Sequence, residues 1–174
     1  MNQINTSYFK SGIGELIAGS FDGRLCLLDF RYRKMRQVID ARIKRGLAAQ
    51  FIMQDDEVLL EAEKELDEYL KGTRTVFDIP ILTIGTDFQK KVWEELMRVP
   101  YGTTATYAKL AGALHNENAV RAVAGANAAN AIAVIIPCHR IIGKDGEPVG
   151  YGGGIAVKKR LLKLEKENLQ RTGG

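Results

Sequence analysis

Residues 107–130 read Tyr-Ala-Lys-Leu-Ala-Gly-Ala-Leu-His-Asn-Glu-Asn-Ala-Val-Arg-Ala-Val-Ala-Gly-Ala-Asn-Ala-Ala-Asn. Tyr107, Leu110, Ala111 and Leu114 fall on one helical face, and His115-Asn116-Glu117 breaks the run. Asn118 is a good cap for a second helix that buries Val120, Val123 and Ala124. Two short helices on a tight turn predict a helix-turn-helix. The face expected to stay exposed on the second helix carries Ala122, Gly125, Ala126 and Ala129, with Arg121 near its start. A helix that reads base edges in a major groove uses long polar side chains, and this face has almost none. Small residues suit tight packing on another helix, or close approach to a shallow minor groove with one Arg reaching past them.

The flanks add to this core. Upstream, Thr86-Asp87-Phe88-Gln89 is a capping box that opens a helix striped by Phe88, Val92, Leu96 and Val99 and stopped by Pro100 and Gly102. Downstream, residues 134–143 read Val-Ile-Ile-Pro-Cys-His-Arg-Ile-Ile-Gly, a thiol and an imidazole side by side in an apolar run. Interiors seldom keep Cys, His and Arg together for packing alone. On a strand, neighbours point to opposite faces, so contact between Cys138 and His139 requires a relaying water or a local turn after Pro137. Farther on, Lys158, Leu161, Leu162, Glu165 and Leu169 share a helical face, which sets a carboxylate among apolar side chains. Such a group wants a partner or a place at the rim.

Residues 1–79 look different. Leu16-Ile17-Ala18 and Leu25-Cys26-Leu27-Leu28 read as strands around a Phe21-Asp22-Gly23 turn. The basic run 31–45 and the acidic run 55–68 read as solvated helix faces, the second with Leu59, Leu66 and Leu70 as its stripe. The segment 72–80, with Gly72 and Pro80 at its ends, is the expected seam between a domain of residues 1–79 and one of residues 80–174.

Composition limits the classes. With 45% apolar and 26% charged side chains the chain is globular, not disordered or fibrous. No apolar stretch approaches the twenty residues of a membrane span, and residues 1–10 lack a signal-peptide pattern, so the expected location is the cytoplasm. Cys26 and Cys138 sit in dissimilar contexts, which argues against a disulfide; Cys26, among leucines, reads as a core thiol. His115 and His139 beside them make no familiar zinc spacing, so neither metal nor cofactor is expected. Residues 80–174 carry 13 basic and 8 acidic side chains against 12 and 13 in residues 1–79, so the positive charge lies in the half with the helix-turn-helix. That is compatible with a polyanion partner.

Taken in order, Tyr107, the Arg-Ala-Val-Ala-Gly-Ala run at 121–126, Asn130, Ile-Pro-Cys-His-Arg at 136–140 and Tyr-Gly-Gly-Gly at 151–154 closely resemble the O6-alkylguanine-DNA alkyltransferases, over residues 80–169. The resemblance implies a ribonuclease-H-like α/β N-terminal domain and a mainly α C-terminal domain with a winged-helix-like helix-turn-helix. It implies double-stranded DNA containing O6-alkylguanine as partner, bound through the minor groove by a monomer. Cys138 would take the alkyl group irreversibly, His139 would draw the thiol proton through a water, and Glu165 would orient His139. Asn130 would organise the turn beside the Cys. Arg121 would fill the gap left by the extruded nucleotide, with Ala122 and Gly125 against the groove. Tyr107 would help rotate the nucleotide out and donate to the base, and Tyr151, Gly152 and Gly153 would line the pocket. Flipping is what the chemistry demands, because O6 lies inside the stack. Gly152 stands where some members have Ser, and Ala131 and Ala133 where some have prolines; zinc ligands of some N-terminal domains are missing. Related alkylated-DNA sensors usually carry Trp where this chain has Cys138. A cysteine hydrolase would pair its Cys and His directly and need an oxyanion hole.

Overall fold

The chain reverses at Asp22-Gly23 with φ of +52° and +74°, left-handed at both positions. That is the backbone a two-residue hairpin needs to match strand twist. It joins strands β2 (Gly14–Phe21) and β3 (Arg24–Phe30), as their apolar stretches predict. The computed structural model describes residues 2–173. It divides into two units, Met1–Gly85 and Thr86–Gly174.

In the first unit β1 (Asn2–Ser11) lies between β2, antiparallel, and β4 (Ala49–Met53), parallel, giving the order β3-β2-β1-β4. Helices α1 (Arg36–Leu47) and α2 (Glu57–Leu70) complete it. Ile4, Leu16, Leu25, Leu27, Ile39, Ile43, Leu59 and Leu66 form the core. Asp56 caps α2 by accepting from Leu59 N, and it also accepts from Ser20 Oγ and Asn5 Nδ2, which ties the helix start to the sheet. Residues beyond the expected seam stay with this unit: Leu25 N donates to Pro80 O at 2.9 Å and Leu82 N to Leu25 O at 2.8 Å. The division at Gly85 follows from those bonds, which seat residues 80–82 beside the sheet edge.

The second unit is mostly helical. Helix α3 (Asp87–Met97) opens with both bonds of the expected capping box, Gln89 N to Thr86 Oγ1 and Thr86 N to Gln89 Oε1. After β5 (Ala105–Thr106) come α4 (Tyr107–Ala113), a left-handed His115 at φ +57°, a short 3-10 turn at 117–119, and α5 (Val120–Ala128). Strand β6 (Ile141–Ile142) pairs parallel with β5, and α6 (Ile155–Gly173) closes the unit. The second helix thus begins one residue later than Asn118 as its cap suggests, with Ala119 in the cap position, and its faces are redistributed. Val120 is exposed, while Ala126 and Ala129 are buried; the outward residues are Arg121, Ala122, Gly125 and Ala128. The reason is α3: Trp93 Nε1 donates to Ala126 O at 2.9 Å, so that side of α5 faces the core. No helix among the described residues is long and apolar enough to cross a membrane.

Candidate active site around Cys138

Asn130, fully enclosed after α5, folds the next eight residues around its amide. Its Oδ1 accepts from Ile132 N at 2.9 Å, and its Nδ2 donates to Ile136 O at 2.9 Å and lies 3.3 Å from Cys138 Sγ. Between them Val134 has φ +70°, a left-handed backbone that costs a β-branched residue about 1–3 kcal/mol. Ile135 N closes back on Ala133 O at 2.8 Å there, and Cys138 N closes on Ile136 O at 2.7 Å across Pro137. These tight turns place Cys138 at the head of a 3-10 turn, residues 138–140, instead of on a strand. A local turn after Pro137, one of the two routes left open by the Cys-His adjacency, is therefore present. An amide N–H aimed at sulfur favours a negative charge on it.

The turn sends His139 and Arg140 inward. His139 Nε2 lies 2.7 Å from Glu165 Oε2, both side chains wholly buried. Arg140 grips the same carboxylate in a fork, Nε to Oε1 at 2.8 Å and Nη2 to Oε2 at 3.0 Å, and its Nη1 reaches Val99 O at 2.7 Å. Gly102 N adds a fourth donor to Oε1 at 3.1 Å. Gly102 has φ +79°, a left-handed backbone that glycine adopts without strain, and that conformation turns its N–H to the carboxylate. Burial pushes the Glu165 carboxyl up, but the bonds from His139 and Arg140 outweigh it and hold it well below the usual carboxylate range. Burial keeps His139 below its ordinary value, against the pull of Glu165. An ionised Glu165 accepts, so Nε2 carries the ring proton and Nδ1 is the basic nitrogen.

Tyr151 sets its ring edgewise to His139, centroids 6.5 Å apart. Gly152 and Gly153 form the turn closed by Gly154 N on Tyr151 O at 2.9 Å. Tyr107 opens α4; burial and the charge of Cys138 push its hydroxyl up, and the Asn127 side chain pulls it back. The structure thus brings Asn130, Cys138, His139, Glu165, Tyr107 and Tyr151 to one neighbourhood. Arg121, Ala122 and Gly125 belong instead to the exposed face of α5. A Cβ on Gly125 would meet nothing within 4 Å, so packing inside the chain does not demand a glycine there.

Two groups escaped the sequence reading. One is Arg140, named in the motif but given no task. The other is Lys158, wholly buried, whose Nζ donates to Val149 O at 2.6 Å and Gly150 O at 3.4 Å and so pins the chain leading to Tyr151. Burial pushes the Lys158 ammonium down, and the Cys138 charge raises it. The available signal was the pairing of Lys158 and Glu165, seven residues apart on one apolar stripe. Among the described residues no group of His, Cys, Asp and Glu could hold a metal ion. The arrangement is a thiol with an oriented base, suited to nucleophilic attack.

Comparison with known proteins agrees in kind. Residues 87–167 match the family model described as 6-O-methylguanine DNA methyltransferase, DNA binding domain. A methylated-DNA–protein-cysteine methyltransferase of Methanosarcina barkeri is 40% identical over 161 residues, covering 92% of this chain and 96% of that protein. The crystal structure of Mycobacterium tuberculosis OGT in complex with DNA superposes with a TM-score of 0.80 at 34% identity, covering 94% of each chain. An O6-methylguanine-DNA methyltransferase from Pyrococcus kodakaraensis gives 0.69 at 29% identity, covering 93% of this chain and 98% of the other.

Proposed function

The chain belongs to the methylated-DNA–protein-cysteine methyltransferases, and from that membership we propose how its own residues carry out the reaction. It is a DNA repair protein that takes the alkyl group of O6-alkylguanine in double-stranded DNA onto a cysteine. Cys138 is that acceptor, and the buried His139–Glu165 pair at 2.7 Å beside it is the observation that carries the assignment. His139 Nδ1 draws the thiol proton through a bridging water, and Glu165 stabilises the imidazolium that results. The sulfur attacks the alkyl carbon, the C–O6 bond breaks with its electron pair going to guanine, and Tyr107 donates to the departing base. The thioether has no route back to thiol, so each molecule acts once.

Arg121 occupies the gap left by the flipped nucleotide, while Ala122 and Gly125 let α5 approach the minor groove closely. Tyr151, Gly152 and Gly153 line the pocket, and Asn130 holds the turn that presents Cys138. The first unit fits a ribonuclease-H-like α/β domain and the second a winged-helix-like one, working as a monomer in a reducing cytoplasm. The division of labour is an N-terminal domain up to Gly85 and a DNA-binding, alkyl-accepting domain from Thr86 onward.

The test is intact-mass and peptide mass spectrometry after incubation with a duplex containing one O6-methylguanine. The expected result is one added methylene on Cys138, saturating at one equivalent. A lesion that stays bound while the protein gains no mass would overturn the acceptor role.

A further inference from the structure

Glu165 receives four donors, and the strongest set does not come from its catalytic neighbour. Arg140 contributes two of them in a planar fork and anchors itself on Val99 O. A guanidinium matches both carboxylate oxygens at once, which fixes the plane of the carboxylate as well as its charge. With one oxygen at 2.7 Å from Nε2, that plane also fixes the imidazole. A buried carboxylate facing an imidazole alone would draw a proton onto the ring from solvent, and an imidazolium at rest is no base. Arg140 supplies the opposing charge.

We propose that Arg140 is a positioning residue for alkyl transfer: its fork on Glu165 keeps His139 uncharged and aimed until Cys138 gives up its proton. The inference rests on the acceptor reading of Cys138. Charge balance explains how it works. With a neutral ring and a neutral thiol, Arg140, Lys158 and Glu165 leave the buried cluster at +1. Protonating His139 from solvent would raise this to +2, a costly step in the interior. Passing the proton from Cys138 to His139 leaves it at +1. The cluster therefore admits the proton of the nucleophile and resists that of the solvent. The sulfur pair then forms the C–S bond as the C–O6 bond breaks.

The other groups facing the cluster are few. Tyr101 lies with its ring 5.6 Å from the Arg140 guanidinium and its hydroxyl 3.1 Å from Asn168 Nδ2, and Arg171 holds the same Asn168 at 2.7 Å. Tyr151 stands against the His139 ring, and Tyr107 faces Cys138. Burial pushes the Tyr101 and Tyr107 hydroxyls up, so both stay neutral at working pH. Burial does most to hold His139 down, with Arg140 and Lys158 acting in the same direction and Glu165 against them.

The experiment follows benzyl transfer from free O6-benzylguanine, without DNA, from pH 5 to 9, in the wild type, Arg140→Met and Arg140→Lys. The His139 ring is titrated in parallel by nitrogen-15 NMR. Arg140→Met is expected to move the acid limb of the rate profile up by about one to two pH units, with the ring protonating over the same range. Arg140→Lys keeps the charge but loses the fork. It is expected to hold the limb in place while the rate falls about ten-fold. A cooperative melt with an unmoved limb and a neutral ring in Arg140→Met would overturn the proposal, leaving Arg140 a packing residue. If Arg140→Met does not fold, Arg140→Lys decides, and a wild-type rate overturns it. Should the wild-type chain accept neither this benzyl group nor a methyl group from duplex O6-methylguanine, the reading of Cys138 fails, and the ring titration alone judges Arg140.

Discussion

The two cysteines are nearly equal in burial and opposite in surroundings. Cys26, 1% exposed on β3, sits among leucines and donates its S–H to Gly19 O at 3.5 Å. Burial pushes its thiol up to about 12. Cys138 is 8% exposed, yet it has the Asn130 amide at 3.3 Å, an oriented imidazole next in sequence, and a buried ammonium acting on it. Removal from water silences a thiol; the polar groups removed with it decide whether it reacts. A strand among leucines offers the Cys26 sulfur little beyond its own backbone N–H, while a chain bent through left-handed Val134 and the turn at Pro137 brings the Asn130 amide to Cys138.

The widest expected gap is chemical. At pH 7 roughly one Cys26 in 10^5 is thiolate. Iodoacetamide on the native chain should therefore alkylate Cys138 at least about 10^3-fold faster, with Cys26 labelled only after denaturation. Comparable native labelling of both, read by peptide mass spectrometry, would erase the distinction. Next comes Asn130→Ala, which should bring Cys138 closer to Cys26. It strands Ile132 N and Ile136 O inside the unit and removes the donor at sulfur. The expected effects are a loss of about 2–3 kcal/mol in urea unfolding and about a ten-fold slower alkylation of Cys138. A stability loss with an undiminished labelling rate would mean that the amide serves the fold alone. The smallest effect belongs to Cys26→Ala. About 1 kcal/mol of stability should go, with alkyl transfer to Cys138 unchanged; slower transfer would tie Cys26 to the reaction.

Acid titration sharpens the same point. His139 is held below its ordinary value and Glu165 is depressed, so in both cases the unfolded chain binds more protons at low pH. Stability is thus complete above the ordinary imidazole range and declines as pH falls, first as the unfolded His139 protonates, then through the carboxylate range. Cys26, raised, acts at the other end: its part is complete below the ordinary thiol range and is lost as pH climbs from there toward about 12.

Local pattern made much of this legible. The hairpin at Asp22-Gly23, the capping box at Thr86, the two helices on a turn and the need for a bend after Pro137 all depend on neighbours a few residues apart. Strand β1 did not announce itself: only Ile4 and Thr6 are buried along its length, and its place comes from pairing on both sides with β2 and β4. The outward face of α5 was misassigned because a run of alanines has no polarity to orient it. Only the contact with α3 does that.

The sequence by itself determined which residue types were available and in what order: a thiol beside an imidazole, a carboxylate on an apolar stripe, and small residues on a short helix. Periodicity records a face, and capping records an end. Only the tertiary structure decided that Glu165 meets His139 and Arg140 across 26 and 25 residues, and Gly102 across 63. Periodicity along one element carries no information about which charge lies on the element packed against it. Burial makes such meetings obligatory, since a charge taken out of water must be paired, and the folded chain alone chooses the partner.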